Sequence, residues 1–236
     1  KRILKIIPLI ESTTIPCGVM IHKVQRQKKL PRIVFIARLD NLVKRVSDLV
    51  PIFLLVQKNI PNAQLEIWGH GDYSEQLTKE IKHAGLENCV FLRGWGSKDE
   101  IYQSLNQSKI LLQTSNFEGM SIAVMEALAM GCTVVSSKVS GVEDYIKEGG
   151  VDIFEIGDVK AAADLCVKQL TNSDRSEDAK ELFSKYFHIS SCIQNYKQFA
   201  KRLAPVKSKK LILPAYFHLF YSLLLANLRL FKFKIK

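Results

Sequence analysis

The chain has 236 residues, 47% of them hydrophobic, which is enough for one well-packed domain with additional segments. Its five cysteines form no CxxC pair and have no histidine at metal-ligand spacing. This pattern excludes a zinc-binding or disulfide-stabilised domain and favours a reducing, cytoplasmic setting. Residues 1–32 carry a net charge of +7 and residues 201–236 carry +9, whereas the 168 residues between them carry −5. Basic ends around a mildly acidic domain favour an anionic membrane surface as a partner and argue against nucleic acid.

Short apolar runs alternate with helical segments from Ile33 onwards. Alternating β–α units of this spacing predict a Rossmann-like α/β domain, in which a parallel sheet has helices on both faces. The predicted strands cover residues 33–37, 63–68, 89–92, 109–113, 133–136 and 151–154. The predicted helices cover about 47–58, 73–84, 158–171, 176–186 and 189–203, and two more begin at the Ser97–Glu100 capping box and at about Gly119.

Several residues suited to ligand binding directly follow predicted strands. Ligands of parallel sheets bind at the carboxyl ends of the strands, so we expect one cleft formed by Arg38, Gly69, Arg93, Phe117 and Glu118. Arg38 and Lys44 lie in a basic loop, residues 38–45, whose cations are suited to hold a diphosphate in the absence of a metal ion. Loop cations that only face solvent are the structural alternative.

The helix expected from about Gly119 to Gly131 is apolar on most faces, so its carboxylates, Glu118 and Glu126, require an explanation. Carboxylates accept hydrogen bonds from the hydroxyls of a sugar or a ribose. Free N–H groups at a helix N-terminus favour a phosphate, and here they belong to Gly119, Met120 and Ser121. The stretch is therefore a candidate nucleotide-sugar site. The structural alternative is a helix in which Glu118 interacts with the helix dipole and Glu126 forms a salt bridge.

The order of residues in this stretch is specific. It reads Glu-Gly-x-Ser, with a second glutamate eight positions after the first, and continues as Ala-Leu-Ala-x-Gly-x-x-Val-Val. This pattern resembles the sugar-nucleotide signature of the family-4 retaining glycosyltransferases of the GT-B fold. The resemblance covers roughly residues 15–200 and implies the C-terminal, sugar-nucleotide-binding half of that fold. Residues 1–30 would then be the remnant of an N-terminal domain with its linker, and residues 31–203 the nucleotide-sugar-binding domain.

The resemblance implies a role for each matching residue. Arg38 and Lys44 would contact the phosphates, with Arg45 as the alternative to Lys44, because this loop has Ala37 in place of the family's glycine and is slightly longer than the family's loop. Glu118 would bind sugar hydroxyls near the reacting carbon, and Glu126 the ribose hydroxyls. The base would lie near Arg93, after the third strand. The resemblance implies no metal ion and no cofactor besides the sugar-nucleotide substrate.

Residues 204–236 form a basic, apolar tail. Its segment 211–231 is largely apolar, but Pro214, His218, Asn227 and Arg229 argue against a membrane-spanning helix. Aromatic and leucine residues flanked by lysines favour a helix in the membrane interface. A helix packed on another protein domain is the alternative.

The sequence thus predicts a retaining, metal-independent transfer of sugar from a nucleoside diphosphate sugar, with UDP favoured over GDP, to a glycan or lipid-linked acceptor. The protein would be peripheral at the cytoplasmic face of the cell membrane. The acceptor-side domain is expected to lie outside this chain, on a longer polypeptide or on a partner chain. One alternative is a non-catalytic nucleotide-sugar-binding module that recruits a partner. Another is a basic protein that associates with membranes or nucleic acid and uses the Rossmann domain only as a scaffold.

Overall fold

A computed structural model of the chain describes residues 13, 15–21, 25–142, 149–172 and 174–203. The basic, apolar tail at 204–236, with its predicted interface helix, lies outside the described residues, as does most of the segment 1–30. The chain divides into two compact units, residues 1–195 and residues 196–236. The first unit contains the complete described sheet, and the described part of the second is residues 196–203.

A six-stranded parallel sheet forms the centre of the first unit, and its strands are β1 (Leu30–Ile36), β2 (Gln64–Trp68), β3 (Val90–Gly94), β4 (Ser108–Gln113), β5 (Thr133–Ser137) and β6 (Val151–Phe154). The strand order is β3-β2-β1-β4-β5-β6. The predicted Rossmann-like architecture is confirmed. The strand order places β1 and β4 side by side at the centre, where the chain reverses its direction of travel across the sheet.

Helices cover both faces of the sheet, and the central strands are therefore buried on both sides. The described helices are α1 (Asn41–Lys44), α2 (Leu49–Asn59), α3 (Ser74–His83), α4 (Lys98–Gln107), α5 (Ile122–Ala129), α6 (Val159–Thr171), α7 (Ser176–Tyr186) and α8 (Ile189–Leu203). One hydrophobic cluster joins α2, α3 and α6 to one face. A second joins α4, α5 and α7 to the other face, so α4 and α5 lie beside each other.

Helix α5 begins three residues later than the sequence predicts. It starts at Ile122, because Ser121 is its N-cap and its hydroxyl oxygen accepts a hydrogen bond from the backbone of Val124 at 3.4 Å. Gly119 lies outside the helix. Its carbonyl oxygen packs so closely against Gly141 that a Cβ atom at position 141 would lie only 2.3 Å away. The helix ends at Ala129, and Gly131, the residue predicted to close it, has a φ of +73° and completes a Schellman motif just after the C-cap.

The basic loop after β1 also differs from the prediction, because residues 41–44 form the short helix α1. Asp40 is its N-cap and accepts a hydrogen bond from the backbone of Val43 at 2.7 Å. Burial opposes the ionisation of Asp40, but hydrogen bonds from Val43 and Arg38 outweigh it and keep the pKa of this carboxyl below its usual range. The ionised cap therefore fixes the start of α1.

Candidate functional site

A cavity of about 310 Å³ lies where β1 and β4 end, between the segment after β1 and the start of α5. Parallel sheets bind ligands in this position, at the carboxyl ends of the strands. Five of the ten predicted site residues line the cavity: Arg38, Lys44, Glu118, Met120 and Ser121. Residues that sequence reasoning did not assign also line it, among them Gln113, Ser115, Ile122 and Ala123.

Lys44 and Glu118 form an ion pair in the wall of this cavity. The Lys44 Nζ atom is 2.7 Å from the Glu118 Oε1 atom, and the two side chains are only 21% and 11% exposed. The hydroxyl of Ser115 donates a hydrogen bond to the same carboxylate oxygen at 2.8 Å. The pair joins residues 74 positions apart in the sequence. It places a cation beside a carboxylate that can accept hydrogen bonds from hydroxyl groups.

The position of Lys44 is fixed by contacts between α1 and the segment after β4. A four-residue helix leaves its last carbonyl groups without intrahelical partners. Here the Asn116 backbone N–H donates to the Val43 carbonyl at 2.8 Å, and the Asn116 side chain donates to the Leu42 carbonyl at 2.8 Å. The buried hydroxyl of Thr114 donates to the Lys44 carbonyl at 2.7 Å. The polar run that ends β4 therefore holds the backbone from which Lys44 extends.

The other two cations of this segment have different surroundings. Arg38 lines the cavity, is 68% exposed, and donates from its Nε atom to the Asp40 carboxylate at 3.0 Å. Arg45 adopts a left-handed conformation with a φ of +47° and makes two hydrogen bonds to Asp48, at 2.7 and 3.1 Å. Arg45 does not line the cavity. Of the two alternatives that the sequence left open, Lys44 is therefore the residue that faces the candidate site.

Gly69 does not line the cavity, but it packs against Ala37, which does. With a φ of +131°, it brings the turn after β2 against the backbone after β1, where a Cβ atom would lie 1.8 Å from the Ala37 carbonyl oxygen. A Cβ atom on Gly71 would lie 2.3 Å from the Leu39 carbonyl oxygen. Both glycines therefore allow the close packing that positions the segment carrying Arg38. Direct contact of Gly69 with a ligand stays a prediction.

The late start of α5 changes which N–H groups point out of its N-terminus. The first turn supplies the N–H groups of Ile122, Ala123 and Val124, and the last of these is bonded to Ser121. Ile122 and Ala123 both line the cavity. Met120 and Ser121 line it as well, and binding of a phosphate by the N–H groups of residues 119–121 stays a prediction.

Glu126 lies on α5, one turn beyond the residues that line the cavity, and is half-buried. Its Oε1 atom accepts a hydrogen bond from the Tyr102 hydroxyl at 2.9 Å. Within the described ranges, no lysine, arginine or histidine lies within 4.0 Å of this carboxylate, so the structure does not support the alternative of a Glu126 salt bridge there. The structural alternative for Glu118 was an interaction with the helix dipole, and the structure instead pairs Glu118 with Lys44.

Arg93 and Phe117 do not line this cavity. Phe117 is 70% exposed. Arg93 lies within β3, in a separate polar pocket, where it is 2.9 Å from the buried carboxylate of Glu66. Arg32 pairs with the same carboxylate at 3.1 Å. Burial opposes the ionisation of Glu66, but hydrogen bonds from Ser104 and Arg93 outweigh it and lower its pKa. The two arginines and Ser104 thus pair with the Glu66 carboxylate. The role of Arg93 beside a nucleotide base stays a prediction.

Two further properties concern the described residues. Among them, no group of three or more His, Cys, Asp or Glu side chains is arranged to hold a metal ion. None of the helices in the described ranges combines the length and the hydropathy that crossing a membrane requires.

Sequence comparison gives relatives whose names describe sugar transfer. The chain is 33% identical over 162 residues to the poly(glycerol-phosphate) alpha-glucosyltransferase of Bacillus subtilis strain 168, a match that covers 65% of this chain and 23% of the relative. It is 27% identical over 165 residues to the poly(ribitol-phosphate) alpha-N-acetylglucosaminyltransferase of Staphylococcus aureus strain COL, covering 68% of this chain and 32% of the relative. The chain thus spans a third or less of these proteins.

Structure comparison supports the same fold. A crystal structure of a mutant of S. aureus TarM, in complex with fondaparinux, alpha-GlcNAc-glycerol and UDP, matches with a TM-score of 0.72 and 23% identity. The match covers 84% of this chain and 41% of TarM. The GT-B half implied by the sequence signature is therefore confirmed as a fold. The sequence model of the family described as "Glycosyl transferases group 1" matches residues 20–183. The chain belongs to the group 1 glycosyl transferase family.

Proposed function

We propose that the chain forms the sugar-nucleotide-binding half of a retaining, metal-independent glycosyltransferase that uses a UDP-sugar, with a GDP-sugar as the alternative. The observation that carries the proposal is the Lys44–Glu118 pair, which lies in a cavity at the carboxyl ends of β1 and β4 beside the N-terminus of α5. The UDP in the TarM complex supports the choice of the nucleotide. The names of the two relatives support transfer of a hexose or an N-acetylhexosamine.

The chemistry requires that negative charge on the leaving diphosphate be stabilised as the glycosidic bond breaks. Lys44, Arg38, Ile122 and Ala123 line the cavity, and the two cations and the N–H groups at the start of α5 would contact the diphosphate. Glu118 would accept hydrogen bonds from hydroxyls of the transferred sugar. When the substrate binds, Lys44 would exchange the carboxylate of Glu118 for a phosphate, while Ser115 continues to hold Glu118 in place.

The acceptor would be a polymer or a lipid-linked glycan. This part of the proposal is supported by the two relatives, whose names specify poly(glycerol phosphate) and poly(ribitol phosphate). Because the chain spans a third or less of those proteins, the acceptor-binding groups would come from a further domain, on the same longer polypeptide or on a partner chain.

Peripheral binding to the cytoplasmic face of a membrane is also proposed, on the basis of the +9 charge of residues 201–236. Co-sedimentation of the chain with anionic phospholipid vesicles tests it, with neutral phosphatidylcholine vesicles as the control. Equal recovery with both kinds of vesicle would contradict the proposal.

Calorimetric titration with UDP and GDP tests the nucleotide site. We expect saturable binding of UDP in preference to GDP, weakened roughly tenfold or more in Lys44→Met, because a charge-assisted contact to the diphosphate is lost. Lys58→Met, which removes an exposed lysine of α2 outside the cavity, is the matched control and should bind UDP normally. A folded chain that binds neither nucleotide would overturn the proposal.

A further inference from the structure

Glu126 is a carboxylate whose capacity to accept hydrogen bonds is largely unused in the described structure. An ionised carboxylate offers about four acceptor positions. Among the described side chains, Tyr102 donates to it at 2.9 Å, and no cation lies within ion-pair distance. Glu118, by comparison, receives both an ammonium group and a hydroxyl. A half-buried carboxylate with free acceptor positions is suited to a ligand that carries hydroxyl groups.

The helical repeat relates Glu126 to the cavity. Glu126 follows Ala123 by three residues and Ile122 by four, so it shares a face of α5 with the two residues at the cavity wall. If a diphosphate occupies the start of α5, the adjoining nucleoside lies within reach of the next turn. The ribose hydroxyls, which the family resemblance assigns to Glu126, are then the groups from which Glu126 would accept hydrogen bonds, and this step rests on the proposed function.

Tyr102 determines where the Glu126 carboxylate points. It belongs to α4, is only 4% exposed, and packs in the cluster that also contains Val124 and Met125 of α5. Burial and the neighbouring Glu126 raise the pKa of Tyr102 to about 12, so its hydroxyl stays protonated and donates at neutral pH. A rigid, buried phenol thus fixes one oxygen of a side chain that otherwise has several rotamers.

We propose that Tyr102 is a positioning residue that holds Glu126 for recognition of the ribose hydroxyls, and thereby makes the site selective for ribonucleoside over 2′-deoxyribonucleoside diphosphates. Tyr102 does not contact the nucleotide itself. Its contribution depends on the free oxygen of Glu126 being aimed at the ribose while the other oxygen is held by the phenol.

The test compares the affinities of the full chain for UDP and for 2′-deoxy-UDP in two tyrosine variants. Tyr102→Phe removes one hydroxyl and keeps the ring. The matched control is Tyr73→Phe, because the Tyr73 hydroxyl donates to Glu80 at 2.6 Å and its pKa is also about 12, but neither residue lines the cavity. Thermal unfolding followed by circular dichroism verifies that each variant is folded.

We expect Tyr102→Phe to weaken UDP binding roughly tenfold and 2′-deoxy-UDP binding by less than about twofold, so that the preference for the ribonucleotide falls. Tyr73→Phe should leave both affinities unchanged, and Glu126→Gln should reduce the preference as Tyr102→Phe does. An equal loss of affinity for both nucleotides, or no loss, would overturn the positioning role while the nucleotide site stands. A wild-type chain that binds neither nucleotide would instead overturn the proposed function.

Discussion

At the scale of single residues, the candidate site depends on how one carboxylate is held. Glu118 shares its Oε1 atom between Lys44 and Ser115. Ser115 is almost completely buried, and its own carbonyl oxygen accepts a hydrogen bond from the Ser137 hydroxyl at 2.6 Å. Glu118 is therefore oriented by groups that are themselves fixed at the ends of β4 and β5. Such support keeps a ligand-binding side chain in one rotamer before the substrate arrives.

Ser115→Ala is expected to separate sugar recognition from diphosphate recognition. The variant removes the hydroxyl that orients Glu118 and keeps Lys44, so affinity for a UDP-sugar should fall roughly three- to tenfold, whereas affinity for UDP should change less than about twofold. Competition titrations with UDP and UDP-glucose measure both. A parallel loss for the two ligands would show that Ser115 supports the whole cavity rather than Glu118.

At the scale of elements, α1 is a four-residue helix that depends on its neighbours. Isolated helices of this length are unstable in water, so its order comes from the Asp40 cap and from the segment after β4. The Thr114 hydroxyl contacts both the Lys44 and the Arg45 carbonyls, at 2.7 and 3.3 Å. The element that carries Lys44 is therefore held by hydrogen bonds to the segment that follows a central strand.

Thr114→Val should lower both stability and nucleotide affinity. Loss of a buried hydrogen bond costs about 1–3 kcal/mol of unfolding free energy, and a displaced Lys44 weakens UDP binding several-fold. The matched control is Thr133→Val, since the Thr133 hydroxyl donates to the Lys109 carbonyl at 3.1 Å in another part of the sheet. Denaturant unfolding and calorimetry measure the two effects. If Thr133→Val weakened UDP binding as much as Thr114→Val, the specific role of the α1 contact would be refuted.

At the scale of the whole molecule, the sheet could be predicted more fully than the site. Turn residues bound each apolar run and so indicate six strands. The helices that alternate with these runs indicate a parallel arrangement. The start of α5 differs from the prediction by three residues, since Ser121, two residues after the glycine expected to begin the helix, is the N-cap. The sequence does not reveal the short helix α1, because no apolar periodicity marks a four-residue element that tertiary contacts stabilise.

The contacts within the site could not be predicted from spacing alone. Lys44 and Glu118 are 74 residues apart, and their 2.7 Å contact depends on Asn116 and Thr114 binding the carbonyl groups of α1. The signal for this contact was the polar run that ends β4, but a polar run does not identify its partners. Arg93 shows the same limit, because its position after an apolar run does not reveal its ion pair with Glu66 on the neighbouring strand.

The central claim is that Lys44 exchanges the carboxylate of Glu118 for a diphosphate when the substrate binds. The most direct measurement is the affinity of Glu118→Gln for UDP, a ligand without the sugar that Glu118 would bind. Replacing the carboxylate removes a negative charge beside the diphosphate and frees the Lys44 ammonium, so we expect Glu118→Gln to bind UDP several-fold more tightly than the wild type. Unchanged or weaker binding of UDP by the folded variant would contradict it.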